Sequence, residues 1–246
     1  MRRLTAALAC RVQGSRLYGK PLQRLQIAGG VTILDHIIQL IKTLPPVQAI
    51  VLGIADGAAN EPFKDAARRH AIDWIVGDER DVLRRLIECG ERASATDVFR
   101  VTTECPFFYF EAVEGAWAQH REKGNDVTTI DGLPEGGHFE IYTMDALRRS
   151  HREGTAKHRS EFCSLYIREH RDRFKVDVLP VPPELDRLDL RLTVDQPEDL
   201  ILCRRVYAEF AAKAPRIPLR DIVAFLDAHP ELHELVKPYV VAQRLW

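Results

Sequence analysis

The chain has no CxxC pair, no long apolar run and almost no net charge. Each absence excludes a class. Leu4 to Cys10, the first apolar stretch, is too short to span a bilayer. No small-residue cleavage site follows it, so neither a secretory signal nor a membrane partner is expected. The five cysteines, Cys10, Cys89, Cys105, Cys163 and Cys203, are odd in number and widely spaced. That is the pattern of reduced thiols rather than of a disulfide framework, and a cytoplasmic location is expected. Lys plus Arg number 35 against 36 Asp plus Glu, which argues against a dedicated nucleic-acid binder. The sequence also lacks G-x-S-x-G, H-E-x-x-H and G-x-G-x-x-G. His138-Phe139-Glu140 has the H-x-E of zinc deaminases, but no P-C-x-x-C follows. His229 and His233 stand four apart in a polar stretch and read as solvated.

What is present is a globular chain. Apolar residues are 46% and charged residues 29% of 246, enough to bury a core without covalent staples. There is no internal repeat, low-complexity tract or linker. One domain is expected over 1–246, with a core of about 4–210 and a helical extension of about 215–246.

Strands are expected at Leu4–Cys10, Ala49–Ala55, Trp74–Val76 and Asp97–Val101. Between them, apolar residues at helical spacing predict helices over Val31–Lys42, started by Thr32 or a neighbouring glycine, and over Glu61–His70, Arg80–Arg92 and Phe108–Arg121. This alternation means βαβ units and a mostly parallel sheet, whose ligands sit at the carboxyl ends of the strands. The second half is less regular. Strands are expected at Glu140–Thr143, Phe174–Leu179 and Asp189–Val194. Helices are expected at Met144–Arg152, Ser160–His170, Pro197–Lys213 and Pro218–His229, with loops at Leu133–His138 and Val181–Glu184.

Four segments carry candidate chemistry. The loop from Arg11 to Pro21 follows the first strand and holds Arg11, Ser15, Arg16 and Lys20 among glycines. Glycine permits close backbone approach, and Arg and Lys complement phosphate oxygens. A solvated basic turn is the plain alternative, and the position after a strand favours the ligand reading. Gly14 to Lys20 formally fits G-x-x-x-x-G-K, but Pro21 stands where Ser or Thr would ligate magnesium, so a P-loop NTPase is excluded. In Arg100 to Pro106, Glu104 lies just past a strand and before a proline; it is a metal-ligating carboxylate or an exposed turn residue. Asp195, in Leu192 to Leu200, is the second carboxylate; Asp195 with Glu198 also reads as a capping box. Lys157 to Glu161 is either an anion-binding segment or a solvated helix start. Glu140 lies in an apolar strand, where an inward acid needs a partner.

In this order the motifs resemble the nucleotide-sugar cytidylyltransferase family, which includes acylneuraminate and 3-deoxy-manno-octulosonate cytidylyltransferases. The similarity is to its spore-coat polysaccharide branch. The residues that carry the resemblance are RVQGSRLYGKPL from Arg11, GDERDVLRRL from Gly77, Arg100 to Pro106, and RLTVDQPEDL from Arg191. The resemblance implies a Rossmann-like α/β nucleotidyltransferase fold with helices on both faces of the sheet. It implies transfer of CMP from CTP to an acidic 3-deoxy or sialic-type sugar, with release of pyrophosphate, for surface glycan synthesis. By motif match, Arg11, Arg16 and Lys20 are catalytic. Those three, with Ser15, hold the triphosphate; Gly77 and Asp78, by their position after a strand, and Arg100 are further nucleotide-binding candidates. Glu104 and Asp195 hold Mg2+; residues 138–167, where the family places sugar recognition, match its better-known members less well, and Glu140, His158, Arg159 and Glu161 are the acceptor-binding candidates there. The family usually has Asp where this chain has Glu104, one methylene shorter. A homodimer is typical of the family. Two alternatives stay open: guanylyl transfer from GTP to a hexosamine phosphate, and a non-catalytic nucleotide-binding subunit.

Overall fold

The computed structural model describes residues 2–14 and 16–246, and Ser15 lies outside them. In chain order the elements are β1 (Leu4–Cys10), β2 (Arg24–Gln26), β3 (Val31–Thr32), α1 (Ile33–Lys42), β4 (Val47–Ala55), α2 (Glu61–His70), β5 (Asp73–Gly77) and α3 (Val82–Arg92). Next come β6 (Asp97–Arg100), α4 (Val113–Lys123), β7 (Val127–Ile130), β8 (Glu140–Thr143), α5 (Met144–Glu153), α6 (Ala156–Arg159) and α7 (Leu165–Glu169). The chain continues through β9 (Val176–Leu179), α8 (Pro197–Glu209), α9 (Leu219–Ala228) and α10 (Pro230–Val236).

Seven strands form one sheet in the order β5-β4-β1-β6-β8-β7-β9, and β2 and β3 pair as a separate hairpin. Only β8 runs against its neighbours β6 and β7; the other pairs in the large sheet are parallel. The chain steps outward from β1 to β4 and β5, then returns to place β6 on the other side of β1. That reversal opens a crevice between the β1 and β6 carboxyl ends, where open α/β sheets bind ligands.

The side chains of β1 alternate between two cores. Leu4, Ala6, Leu8 and Cys10 face the core that includes α1, α2, α4 and α8–α10. Ala7 faces the one formed with α3, α5 and α7. Helices therefore cover both faces, as the resemblance implied, and the residues of α9 and α10 join the same core as β1. Local chemistry sets the helix starts. Thr32 accepts the Asp35 N–H at 3.0 Å and Asp35 returns the bond, a capping box that opens α1. Asp81 accepts the Arg84 N–H at 2.8 Å and opens α3. Ile33, Leu34, Ile37, Ile38 and Ile41 then bury one face of α1, each contributing roughly 1.5–3 kcal/mol.

Four expectations need correction. Val31 and Thr32 are a strand, and the helix begins only after the Thr32 cap. The segment after Pro106 runs irregularly, with Phe107, Phe108 and Phe110 buried, and α4 starts at Val113. The expected helix over Ser160–His170 is broken. Ser160 Oγ donates to the Lys157 carbonyl at 2.7 Å and closes α6 after about one turn. Asp189–Val194 is extended but joins no ladder. It meets a loop through the single bridge Glu135–Arg191, and Gly136, at φ +92, turns that loop away. The short strand β7 had no clear signal: its Val-Thr-Thr-Ile sequence is polar in the middle, yet all four residues are buried. All five cysteines are buried and unpaired. No helix among the described residues is long and apolar enough to cross a membrane.

Candidate active site

The loop after β1 is shaped by glycine and by backbone bonds. Its start is anchored where Val12 N–H donates to Asn60 Oδ1 at 2.9 Å. Gly19, at φ +60, donates to the Val12 carbonyl at 2.8 Å and closes the loop. At Gly14 a Cβ would come within 2.5 Å of the Leu17 carbonyl oxygen, so the turn excludes a side chain there. Lys20 then leads a single 3-10 turn with Pro21 behind it, unlike the helix of a P-loop.

Two connected hollows lie over the strand ends. The smaller, of about 170 Å³, is lined by Arg11, Gln13, Gly14, Arg85 and Leu86. The larger, of about 510 Å³, is lined by Glu135, His138, Glu140, Arg168, Asp195 and the segment 243–246, with Arg244 alone not facing it. Arg16, Lys20, Arg100, Thr102, Glu104 and Glu161 line both. The smaller lobe sits over β1 on its α3 side, and the larger over β6, β8 and β7. A third hollow, of about 540 Å³, lies at the opposite ends of β4 and β5 beside Lys42, Gln48 and Asp73, remote from these motifs.

Glu104 and Asp195 are brought together where the lobes join. The Thr103 hydroxyl donates to the Ala9 carbonyl at 3.0 Å and pins the 102–105 turn to β1. Val194 N–H donates to the Glu104 carbonyl at 2.9 Å and draws in the 189–194 segment. Asp195 is not the helix cap expected. Gln196 is the N-cap, and Asp199 accepts the N–H groups of Asp195 and Gln196 at 2.9 and 2.8 Å. Pro197 at the first helical position has no N–H, and Asp199 caps in place of Glu198, leaving both Asp195 oxygens for side chains. Lys20 Nζ meets Asp195 Oδ1 at 2.5 Å, Arg16 lies 3.9 Å from the same atom, and Arg191 donates to Oδ2 at 3.1 Å.

Arg191 was overlooked as a site residue. Only 3% of its side chain is exposed, so its charge must be matched locally. It forks onto Asp199 at 2.8 and 3.1 Å, pairs with Glu135 at 2.6 Å and donates to the Tyr239 carbonyl at 3.2 Å. Alternation puts Arg191 on the face opposite Leu190, Leu192 and Val194, so the residue pattern held no signal of its burial.

The two carboxyl groups are pushed apart. Burial raises Asp195, but the Lys20 hydrogen bond and charge, with Arg16 and Arg191, outweigh it and hold the group below the ordinary range. Burial raises Glu104; Lys20 opposes this, Asp195 reinforces it, and the net shift is upward. Among the described residues, the only side-chain hydrogen-bond partner of the Glu104 carboxylate is Thr103 Oγ1, at 3.5 Å. Beside it, burial pushes the Cys105 thiol up to about 12, so it stays protonated at neutral pH.

Strand register places the next pair. The antiparallel turn of β8 sets Glu140 opposite Arg100, and the two side chains form an ion pair. Arg100 also donates to the Glu161 carbonyl at 3.1 Å, and Arg11 meets the Glu161 carboxylate at 3.0 Å.

Four expected site residues are used elsewhere. Asp78 accepts the Arg80 and Asp81 N–H groups at 2.7 and 2.9 Å and lines neither lobe. Gly77 lines neither as well; a Cβ there would meet Arg85 Cγ at 2.9 Å, so it makes room for that side chain. His158 accepts the Thr155 N–H at 2.8 Å and pairs with Glu169 at 2.8 Å. Arg159 donates to the His151 carbonyl at 2.9 and 3.2 Å. Both brace the segment that carries Glu161.

Arg85, also missed, is 1% exposed and has no carboxylate partner among the described residues. Its Nη1 donates to the Cys10 and Gly53 carbonyls at 3.0 and 2.6 Å, tying the exit of β1 to β4. Positions 82, 85, 86 and 89 share the inward face of α3, which was the available signal.

Among the described residues no three His, Cys, Asp or Glu side chains cluster to hold a metal alone. Glu104 and Asp195 nevertheless fit magnesium, which takes one or two carboxylates and completes its shell with phosphate oxygens and water. Both carboxylates face the larger lobe, beside the cations of the loop.

Comparison with known proteins follows the same outline. A cytidylyltransferase family model matches residues 7–216. The spore coat polysaccharide biosynthesis protein SpsF of Bacillus subtilis is 24% identical over 229 residues, covering 91% of this chain and 94% of its own length. A cytidylyltransferase structure from Leptospira borgpetersenii superposes with a TM-score of 0.83 at 16% identity, covering all of both chains. A CMP:2-keto-3-deoxy-manno-octonic acid synthetase complexed with CTP gives 0.64 at 15% identity, covering 84% of this chain and 99% of its own.

Proposed function

The chain belongs to the cytidylyltransferase family and is a nucleotidyltransferase; from that premise we propose that it transfers CMP from CTP to an acidic 3-deoxy or sialic-type sugar, for surface glycan synthesis. The observation that carries this reading is the meeting of Lys20, Arg16, Glu104 and Asp195 at the junction of the two lobes. The smaller lobe takes the nucleoside end of CTP and the larger takes the acceptor. Arg11, Arg16 and Lys20, with Ser15 by motif match, hold the triphosphate across the junction. Glu104 and Asp195 would hold Mg2+. Such an ion would supply charge neutralisation on the phosphates and a lowered pKa for the acceptor hydroxyl.

The acceptor oxygen forms a bond to the α-phosphorus, and the bridging bond between the α- and β-phosphates breaks. Pyrophosphate leaves, and the proton of the acceptor hydroxyl passes to water. Little covalent work falls to the protein, so positioning and charge carry the rate. Arg16 and Lys20 face negative charge that builds on the leaving pyrophosphate. Arg100 holds Glu140 at the acceptor side, and Glu161 spans both lobes; these carboxylates accept hydrogen bonds from sugar hydroxyls. Gly77, Asp78, His158 and Arg159 act through the frame.

The test is pyrophosphate release with CTP, GTP, UTP and ATP in turn, each with Mg2+ and a panel of 3-deoxy acid sugars, sialic-type sugars and sugar phosphates. Release with CTP and an acid sugar is expected. Release with GTP and a hexosamine phosphate alone would overturn both the base and the acceptor.

A further inference from the structure

The segment 240–246 has no helix or strand, yet it is held at several points along its length. At its start, Arg191, which also holds Asp195, donates to the Tyr239 carbonyl at 3.2 Å. At its end, Trp246 N–H donates to the buried Asp131 carboxylate at 2.7 Å. Between them, Arg244 forks onto Asp186 with two bonds of 2.7 Å and donates to the Asp131 carbonyl at 3.2 Å. Arg168 reaches the Leu245 carbonyl at 3.4 Å.

The seat of Arg244 is specific. Gly132, at φ +99, lies under its guanidinium, and a Cβ there would stand 2.0 Å from Nη1. Only a residue without a side chain admits the arginine. Gly132 opens the loop that carries Glu135 and His138 into the larger lobe. Gln243, Leu245 and Trp246 line that lobe and not the smaller one. They offer a side-chain amide and apolar surface including an indole, which match the hydroxyl edge and the C–H face of a sugar ring.

We propose that residues 243–246 form the specificity-determining wall of the acceptor lobe, and that Arg244 is the positioning residue that seats it. This rests on the transfer reading above. The wall touches the acceptor and leaves CTP alone. Arg244 touches neither and acts only by holding the segment against Gly132 and Asp186.

The experiment compares wild type, Arg244→Ala and Asp186→Asn. Hydrogen exchange over 240–246 reads whether the segment is seated. Pyrophosphate release with CTP and the acceptor panel gives KM for each substrate. Both variants should exchange faster over 240–246. The acceptor KM should rise about tenfold or more, in the range of a lost pocket contact. The CTP KM should stay within about twofold, and panel members rejected by wild type should gain relative rate. A segment that stays protected in Arg244→Ala overturns the seat. A freed segment with unchanged acceptor KM and selectivity overturns the wall, and so does a CTP KM that moves equally. Wild-type protein that binds CTP but releases no pyrophosphate with any panel member overturns the transfer reading instead.

Discussion

The two lobes of the cleft are built in different ways. The smaller lobe comes mainly from short βα connections, each contiguous in sequence: the loop after β1, the first turns of α3 and the turn after β6. The larger lobe is assembled from distant pieces: the 131–138 loop, β8, the segment around Glu161, Asp195 and the strap at 243–246. A parallel sheet delivers its loops to one edge by topology alone. The antiparallel β8 and the irregular segments around it have no such rule, and hydrogen-bonded hubs hold them. Under the proposed transfer reading, nucleotide handling is thus a property of the fold, and acceptor choice a property of the hubs.

Breaking a hub should have the largest effect. Arg191→Met leaves Asp199 buried without its cation, removes the cation paired with Glu135, and leaves Asp195 with Lys20 and Arg16. The expected loss is about 3–5 kcal/mol of stability, measured by urea denaturation. An unchanged midpoint would mean that the hub is dispensable. Next come Asp195→Asn and Lys20→Ala, which strike the junction itself. Each should lower turnover by about 10²–10³ while the circular dichroism spectrum stays native. Wild-type-like rates in either variant would remove the junction as the reacting centre.

Acid should loosen the junction from behind. His36 on α1 is buried against Phe107, just past the Glu104 turn, and against Tyr207. Burial pushes its imidazole down to about 4, against a weaker pull from the Pro106 carbonyl. The unfolded chain binds this proton near pH 6.5 and the folded chain only near 4. The stability due to a neutral His36 is therefore complete above about pH 6.5 and is lost as the pH falls toward 4, by roughly 3 kcal/mol at most. His36→Phe should flatten that part of the stability profile, and an unaltered slope would show that other groups set it. The smallest effect is expected at Glu161. Its pair with Arg11 is exposed on both sides, so Glu161→Gln should change stability by about 0–1 kcal/mol.

The same contrast explains what could be read in advance. The bounds of β1 and α2 match their expected limits, and those of β4, β5, α3 and β6 differ by only one or two residues. Buried runs alternating with amphipathic helices leave little freedom. Asp195 was legible from its motif, but its capping role was not: the cap moved by one residue, and the acid was released into the cleft. Gly77 was legible as special for the wrong reason, since it seats Arg85 rather than a ligand. His158 and Arg159 looked like anion ligands because a sequence does not show that Glu169 and two carbonyls already occupy them. The strap gave no signal, because its meaning lies in contacts with residues more than fifty positions away.

The division between the lobes is tested most directly by titrating CTP, with Mg2+ and without acceptor, into wild type, Arg11→Ala and Arg168→Ala. Arg11 lines only the smaller lobe and Arg168 only the larger. The account predicts that Arg11→Ala weakens CTP binding about tenfold or more, as loss of a charged contact should. Arg168→Ala should bind CTP as wild type does. Equal weakening in both variants, or loss in Arg168→Ala alone, would contradict it.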